Sequence, residues 1–194
     1  MVCENPWERD LQLFALNPAG EVPILVEENG TAISGAYAIS EYLEETYPDI
    51  TLIGQTPAMR AEVRRLTDWF DHKFDHEVTQ NVLFEKVFKH YFGRGEPNST
   101  AIRAGKQNML YHLDYVGYLS SERYFIAGDS LTLADLAAAA HFSALDYIGD
   151  VPWEYNKAAH NWYALMKSRP SMRCILSERI RGVKPPAYYE NPDF

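Results

Sequence analysis

The sequence predicts an α+β chain in which a small α/β unit at residues 1–50 precedes an all-helical domain at residues 57–186, followed by an extended segment at 187–194. Three observations lead there. Short mixed elements and an Asn29-Gly30 turn signal fill the first fifty residues. Apolar residues spaced by three and four begin after Pro57 and persist almost to the end. Strands that come first and helices that follow imply two layers of different type, and the stretch 48–56 is the natural linker.

Taken in order, the first unit opens with a stub at residues 1–3 and a short helix from about Arg9 to Leu16. Val22-Pro23-Ile24-Leu25-Val26 follows as a strand, and Glu28-Asn29-Gly30 turns it back, Asn-Gly being the strongest short hairpin signal. A second strand covers Thr31 to Ser34. Ala36 to Tyr47 places Ile39, Tyr42 and Leu43 at helical spacing and stops before Pro48, which excludes the helical conformation from the residue ahead of it.

The helical domain begins with Thr56 as N-cap and Pro57 at the first helical position, where the missing amide hydrogen costs nothing. Val63, Leu66, Phe70, Phe74 and Val78 mark one apolar face of a long helix that ends in the loop Gly93 to Asn98. A second helix, about Ser99 to Leu119, turns Ile102, Leu110, Leu113 and Val116 inward. Further helices follow the breaks at Gly128-Asp129 and Val151-Pro152, and a last one follows Pro170.

Charge excludes some functions. The net charge is -9, and residues 1–59 hold ten acids against one base, Arg9. Nucleic-acid binding needs a clustered basic face, so none is expected. No run of 18 apolar residues occurs, and the N-terminal residues lack the pattern of a secretion signal, so no membrane association and a cytoplasmic location are expected. Cys3 and Cys174 read as free thiols. His72 and His76 stand at i and i+4, but no third ligand and no metalloprotease pattern accompany them, so no metal is expected.

Two motifs make the architecture specific. Asn17-Pro18-Ala19-Gly20-Glu21-Val22-Pro23-Ile24-Leu25 resembles the thioredoxin-like N-terminal domain of the glutathione transferases, in which the proline after valine is cis and faces the cysteinyl unit of glutathione. Pro23 would be that residue. Gly128 to Asp135 resembles the capping box of the family's buried C-terminal-domain helix, with Thr132 as N-cap and Asp135 returning to it, a folding role.

The same resemblance argues against glutathione chemistry. The stub at residues 1–3 matches the end of the family's second strand, which implies that the first strand, the first helix and the thiolate-stabilising Tyr, Ser or Cys are missing. Where the family places an acid and a serine to hold the γ-glutamyl carboxylate, this sequence has Gly35 and Ala36. Neither offers a side-chain hydrogen bond. Ser34 lies one residue early, on the opposite face of its strand. No cofactor is therefore expected, and glutathione binding is expected to be weak or absent, resting on the backbone at Pro23.

The helical half, from Trp69-Phe70-Asp71-His72-Lys73-Phe74 through Asp150-Val151-Pro152-Trp153 to Gly182-Val183-Lys184-Pro185-Pro186, resembles the FzlA-type branch of the superfamily. That branch implies a homodimeric, non-catalytic adaptor that binds FtsZ filaments and regulates cell division, placing the protein at the division site. Candidate contact residues are Arg179, Arg181 and Lys184, within a basic run from Lys167 to Lys184, and Tyr188, Tyr189, Asp193 and Phe194 in the aromatic tail. A tail folded onto its own domain is the alternative. A diverged glutathione-dependent transferase or isomerase, and a transcription-associated member of the superfamily, are the rival functions.

Overall fold

The computed structural model describes Val2, residues 10–180 and residues 182–191. The chain divides into two units, Met1–Leu52 and Ile53–Phe194.

In the first unit, helix α1 (Leu11–Leu16) starts where the Asp10 carboxylate accepts the Gln12 amide at 2.8 Å, and it buries Leu13. Strands β1 (Ile24–Val26) and β2 (Ala32–Ser34) pair antiparallel, with Ile24 opposite Ser34 and Val26 opposite Ala32. The hairpin turns at the expected residues but by a different device. The Gly30 amide donates to the Glu27 carbonyl at 2.9 Å, so Glu28-Asn29 form the centre of the turn and Gly30, at φ 85°, takes the left-handed position after it. This is a three-residue loop, not a two-residue Asn-Gly turn. Helix α2 (Ala36–Thr46) follows. At its far end the Glu44 carboxylate accepts the Leu52 amide at 2.6 Å and the Thr51 hydroxyl at 3.0 Å, which ties down the end of the unit.

The second unit is helical. Thr56 caps α3 (Pro57–Asp68) by accepting the Met59 amide at 3.2 Å, and Pro57 occupies the first turn as expected. The helix continues without a break through a π-wound stretch, Trp69–Phe88, into α4 (Lys89–Tyr91). Here hydrogen bonds span five residues, as from the Lys89 amide to the Phe84 carbonyl. The wider turn suits the buried side chains, because Phe70, Phe74, Val78 and Val82 recur at every fourth position. Gly93, at φ 60°, ends it.

Helix α5 (Ser99–Glu122) is capped by Asn98 and packs along the π-wound stretch. Of the four side chains expected to face inward, Leu113 and Val116 are fully buried and Ile102 and Leu110 half-buried. Helix α6 (Leu133–Tyr147) runs through the core, where Ala134, Ala138 and Ala139 are fully buried and their small side chains admit the neighbouring helices closely. Helices α7 (Lys157–Lys167) and α8 (Arg173–Ser177) complete the unit. Phe70, Phe74, Phe142, Trp153, Trp162 and Tyr163 form its aromatic centre, with Trp153 stacked on Tyr163 at 4.4 Å. A second, smaller cluster joins Tyr147, Met172, Leu176 and Tyr189. Among the described residues, no helix is long and apolar enough to cross a membrane.

Candidate functional site

Pro23 stands where the loop after α1 becomes strand β1, and the Val22-Pro23 bond is cis. Asn17 builds that loop with its side chain and its backbone carbonyl. Its amide nitrogen donates to the Glu21 carbonyl at 2.9 Å, its amide oxygen accepts the Ala19 amide at 3.1 Å, and its carbonyl accepts the Gly20 amide at 2.8 Å. Asn residues turn chains in this way because their side chains substitute for the backbone. The Pro23 carbonyl accepts the Gly35 amide at 3.0 Å, so the hairpin itself uses that acceptor.

Gly35 is the N-cap of α2 and provides no side-chain cap. Its φ of 89° is a conformation that glycine adopts readily and other residues resist. The head of α2 therefore presents backbone amides without the side chains that would grip a carboxylate.

In the helical unit the structure separates the predicted contact residues. Arg173, Arg179 and Lys184 are exposed, whereas Lys167 is buried and lies outside any basic face. Its ammonium sits 3.5 Å from the Asp146 carboxylate, donates to the Tyr188 carbonyl at 3.3 Å, and lies over the rings of Tyr163 and Tyr189. Burial lowers the Lys167 pKa and raises that of Asp146, since desolvation disfavours both charges, and their mutual attraction opposes the two shifts. Arg179 makes an ion pair with Glu190 and donates to the carbonyls of Leu176 and Glu178.

The tail residues divide too. Tyr189, a candidate contact residue of the tail, is instead folded onto its own domain: it is 2% exposed and its hydroxyl pairs with that of Ser143 at 2.8 Å. A phenol this apolar gains more from the core than from solvent when its hydroxyl finds a partner. Tyr188 is half-buried, and the same surroundings push its pKa up to about 12, mainly through burial. Arg181, Asp193 and Phe194 lie outside the described residues. At the other motif, the capping box of α6 forms: the Asp135 carboxylate accepts the Thr132 amide at 3.0 Å and the Thr132 hydroxyl at 2.9 Å.

His72 contacts Asp68 at 3.0 Å, and no cluster of three potential metal ligands occurs among the described residues. Cys174 is an exposed free thiol, and Cys3 lies outside the described residues.

A polar group that the sequence reading missed is buried His112. Its Nδ1 accepts the Trp69 indole N–H at 3.1 Å, which leaves Nε2 to donate to Glu77 at 3.0 Å. Glu77 also pairs with Lys73. A helical count of polar as well as apolar positions on α5 would have found it, since His112 adjoins Leu113 and stands three and four residues from Met109 and Val116.

Comparison with known proteins agrees with the fold. The glutathione S-transferase N-terminal domain profile matches residues 2–46. FtsZ-localized protein A of Caulobacter vibrioides (strain NA1000 / CB15N) is 44% identical over 191 residues, covering 97% of this chain and 84% of that protein. A glutathione S-transferase from Rhodospirillum rubrum F11 superposes with a TM-score of 0.96 at 50% identity, covering 100% of this chain and 87% of the other. The structure of FzlA from C. crescentus gives a TM-score of 0.94 at 44% identity, covering 98% and 86%. On the strength of this near-complete alignment, the chain belongs to the glutathione S-transferase superfamily.

Proposed function

We propose that this protein is a glutathione-transferase-fold adaptor that binds FtsZ filaments at the division site and takes no part in glutathione conjugation. The observation that carries the reading is the 44% identity to FtsZ-localized protein A across 97% of the chain. The head of α2 supports it, because Gly35 and Ala36 leave no side chain to hold the γ-glutamyl carboxylate. The partner surface proposed is the C-terminal segment with exposed Lys184 and half-buried Tyr188, together with Arg181, Asp193 and Phe194. A homodimer is proposed as the working form, read as twice the monomer mass by light scattering.

The direct test is co-sedimentation with FtsZ polymerised on GTP. The full chain is expected to pellet with filaments. Reversing two charges, Arg181→Glu with Lys184→Glu, is expected to weaken binding roughly tenfold, with a reduced salt dependence, since such charges act on encounter with an acidic surface. Binding unchanged by that double reversal would remove the basic contact, and no pelleting of the wild-type chain would remove the reading itself.

The rival reading, a glutathione-dependent transferase, draws on the name of the Rhodospirillum rubrum neighbour. Titration calorimetry separates the two. Weak or absent heat with glutathione is expected, and micromolar affinity would favour the enzyme.

A further inference from the structure

The C-terminal segment from Ile180 to Glu190 is held onto the helical unit by a set of polar pins as well as by the buried ring of Tyr189. The Tyr147 hydroxyl accepts the Ile180 amide and donates to the Val183 carbonyl, both at 2.9 Å. Lys167 donates to the Tyr188 carbonyl at 3.3 Å, Tyr189 reaches Ser143 at 2.8 Å, and Arg179 pairs with Glu190. Apolar packing adds to these pins: Val183 packs against the second cluster and the Tyr189 ring meets the Tyr147 ring edge-on at 5.1 Å. The segment gives one buried side chain, Tyr189, to a cluster of four that is separate from the main core.

A partly open apolar pocket of about 250 Å³ borders the segment, lined by Leu83 and Val87 of the π-wound stretch, Ala140 and Ala144 of α6, and Ile180 and Val183 of the segment. Segments of this kind, with few buried apolar groups, open at lower free energy than the core beneath them. Lys167 is a buried pin. Its side chain is fully buried and paired with Asp146, and it holds this C-terminal strap in two ways, by donating to the Tyr188 carbonyl and by lying over the rings of Tyr188 and Tyr189.

The geometry points to Lys167 as a positioning residue of the partner surface: with Tyr147, it latches the C-terminal strap in the one conformation that presents Lys184 and Tyr188 to the filament. This rests on the FtsZ-binding reading above. The strap then has two states, and the undocked state binds weakly because the partner must supply the ordering cost.

The experiment compares the full chain with Lys167→Met and Tyr147→Phe by hydrogen–deuterium exchange and by FtsZ co-sedimentation. For Lys167→Met, amides at 183–190 are expected to exchange at least tenfold faster while those of α5 and α6 keep their wild-type rates, and the apparent Kd for filaments is expected to rise about tenfold. Tyr147→Phe changes little volume, so it keeps the test open should Lys167→Met fail to fold, and it is expected to act in the same direction. Lys184→Glu serves as the contrast, weakening binding with the strap still protected. Wild-type exchange at 183–190 in both folded variants would overturn the latch. Faster exchange with undiminished filament binding would overturn its coupling to the partner. A wild-type chain that fails to bind filaments would instead overturn the functional reading, with the exchange data still deciding whether Lys167 holds the strap.

Discussion

Asp135 is fully buried at the head of α6, and its two carboxylate oxygens accept four hydrogen bonds. The donors are the Thr132 amide and hydroxyl, the Ile126 amide at 3.0 Å and the Trp162 indole at 3.0 Å. As a capping box alone, Asp135 would contribute about 1 kcal/mol. The two further bonds, to a loop before α6 and to a ring on α7, make it a junction of three segments. Asp135→Asn would turn an amide N–H₂ toward donors that need an acceptor, and a buried donor left unmatched costs about 1–3 kcal/mol. The expected loss is about 3 kcal/mol or more, read as a fall in the urea midpoint at unchanged slope.

His112 gives a pH dependence whose direction follows from its bonds. Burial is the main cause of its lowered pKa, and the Glu77 hydrogen bond opposes it more weakly. Because Nδ1 accepts from Trp69, protonation would set two N–H groups against each other. The folded state therefore binds fewer protons than the unfolded one, so this contribution is complete above about pH 6.5 and is lost as pH falls below it. Glu77 is lowered, chiefly by Lys73, so its own loss comes only at more acidic pH. His112→Gln is expected to lie below the wild type in stability at pH 7.5 and to approach it toward pH 5, with a slope difference no steeper than about 1.4 kcal/mol per pH unit. Parallel stability curves for the two proteins would show that His112 does not titrate on unfolding.

The packing of α5 against the π-wound stretch depends on a glycine. A Cβ at Gly105 would come within 2.7 Å of Val82 Cγ2, 2.8 Å of Asn81 Cβ and 3.4 Å of the Val78 carbonyl. Alanine at a helix interior gains about 1 kcal/mol of propensity over glycine. Overpacking of a tight crossing costs about 1–3 kcal/mol, and Asn81 Cβ cannot turn away because it is fixed to the backbone. The steric term wins, so Gly105→Ala is expected to lower stability by about 1 kcal/mol net, measured by thermal or urea unfolding. A stabilised variant would mean that the two helices can part without loss.

That crossing also marks the limit of what the sequence makes legible. Val63, Leu66, Phe70, Phe74 and Val78 could be read from apolar spacing, and all five are fully buried. Thr56-Pro57 could be read as a helix start because capping is local chemistry. Gly105 and His112 could not be found by counting apolar residues, since one has no side chain and the other is polar. The candidate site was less legible than the fold. Lys167 follows Ala159 and Tyr163 at intervals of four, which places it on a buried face, but its charge made it read as part of a basic run. Tyr188 and Tyr189 are neighbours of the same type, and only the position of Ser143 and the Lys167 pin decides which one enters the core.

The two units differ sharply in what they bury. Among the described residues of Met1–Leu52, Leu13 is the one buried apolar side chain, and α2 has no buried residue at all. Ile53–Phe194 holds the main aromatic core, the capping junction at Asp135 and the second cluster under the C-terminal strap. Burying a large apolar side chain contributes roughly 1.5–3 kcal/mol, while ordering each residue's backbone costs roughly 1–2 kcal/mol. With so small an interior among its described residues, this unit is not expected to recover its ordering cost alone, and a hairpin of two three-residue strands adds little. A chain comprising residues 53–194 is therefore expected to fold by itself with a cooperative thermal transition, and residues 1–52 alone are expected to be unfolded by circular dichroism and by amide chemical-shift dispersion. The full chain should then show one transition governed by the helical unit. Independent folding of residues 1–52 would overturn this division and would restore the first unit as a scaffold able to hold a ligand by itself.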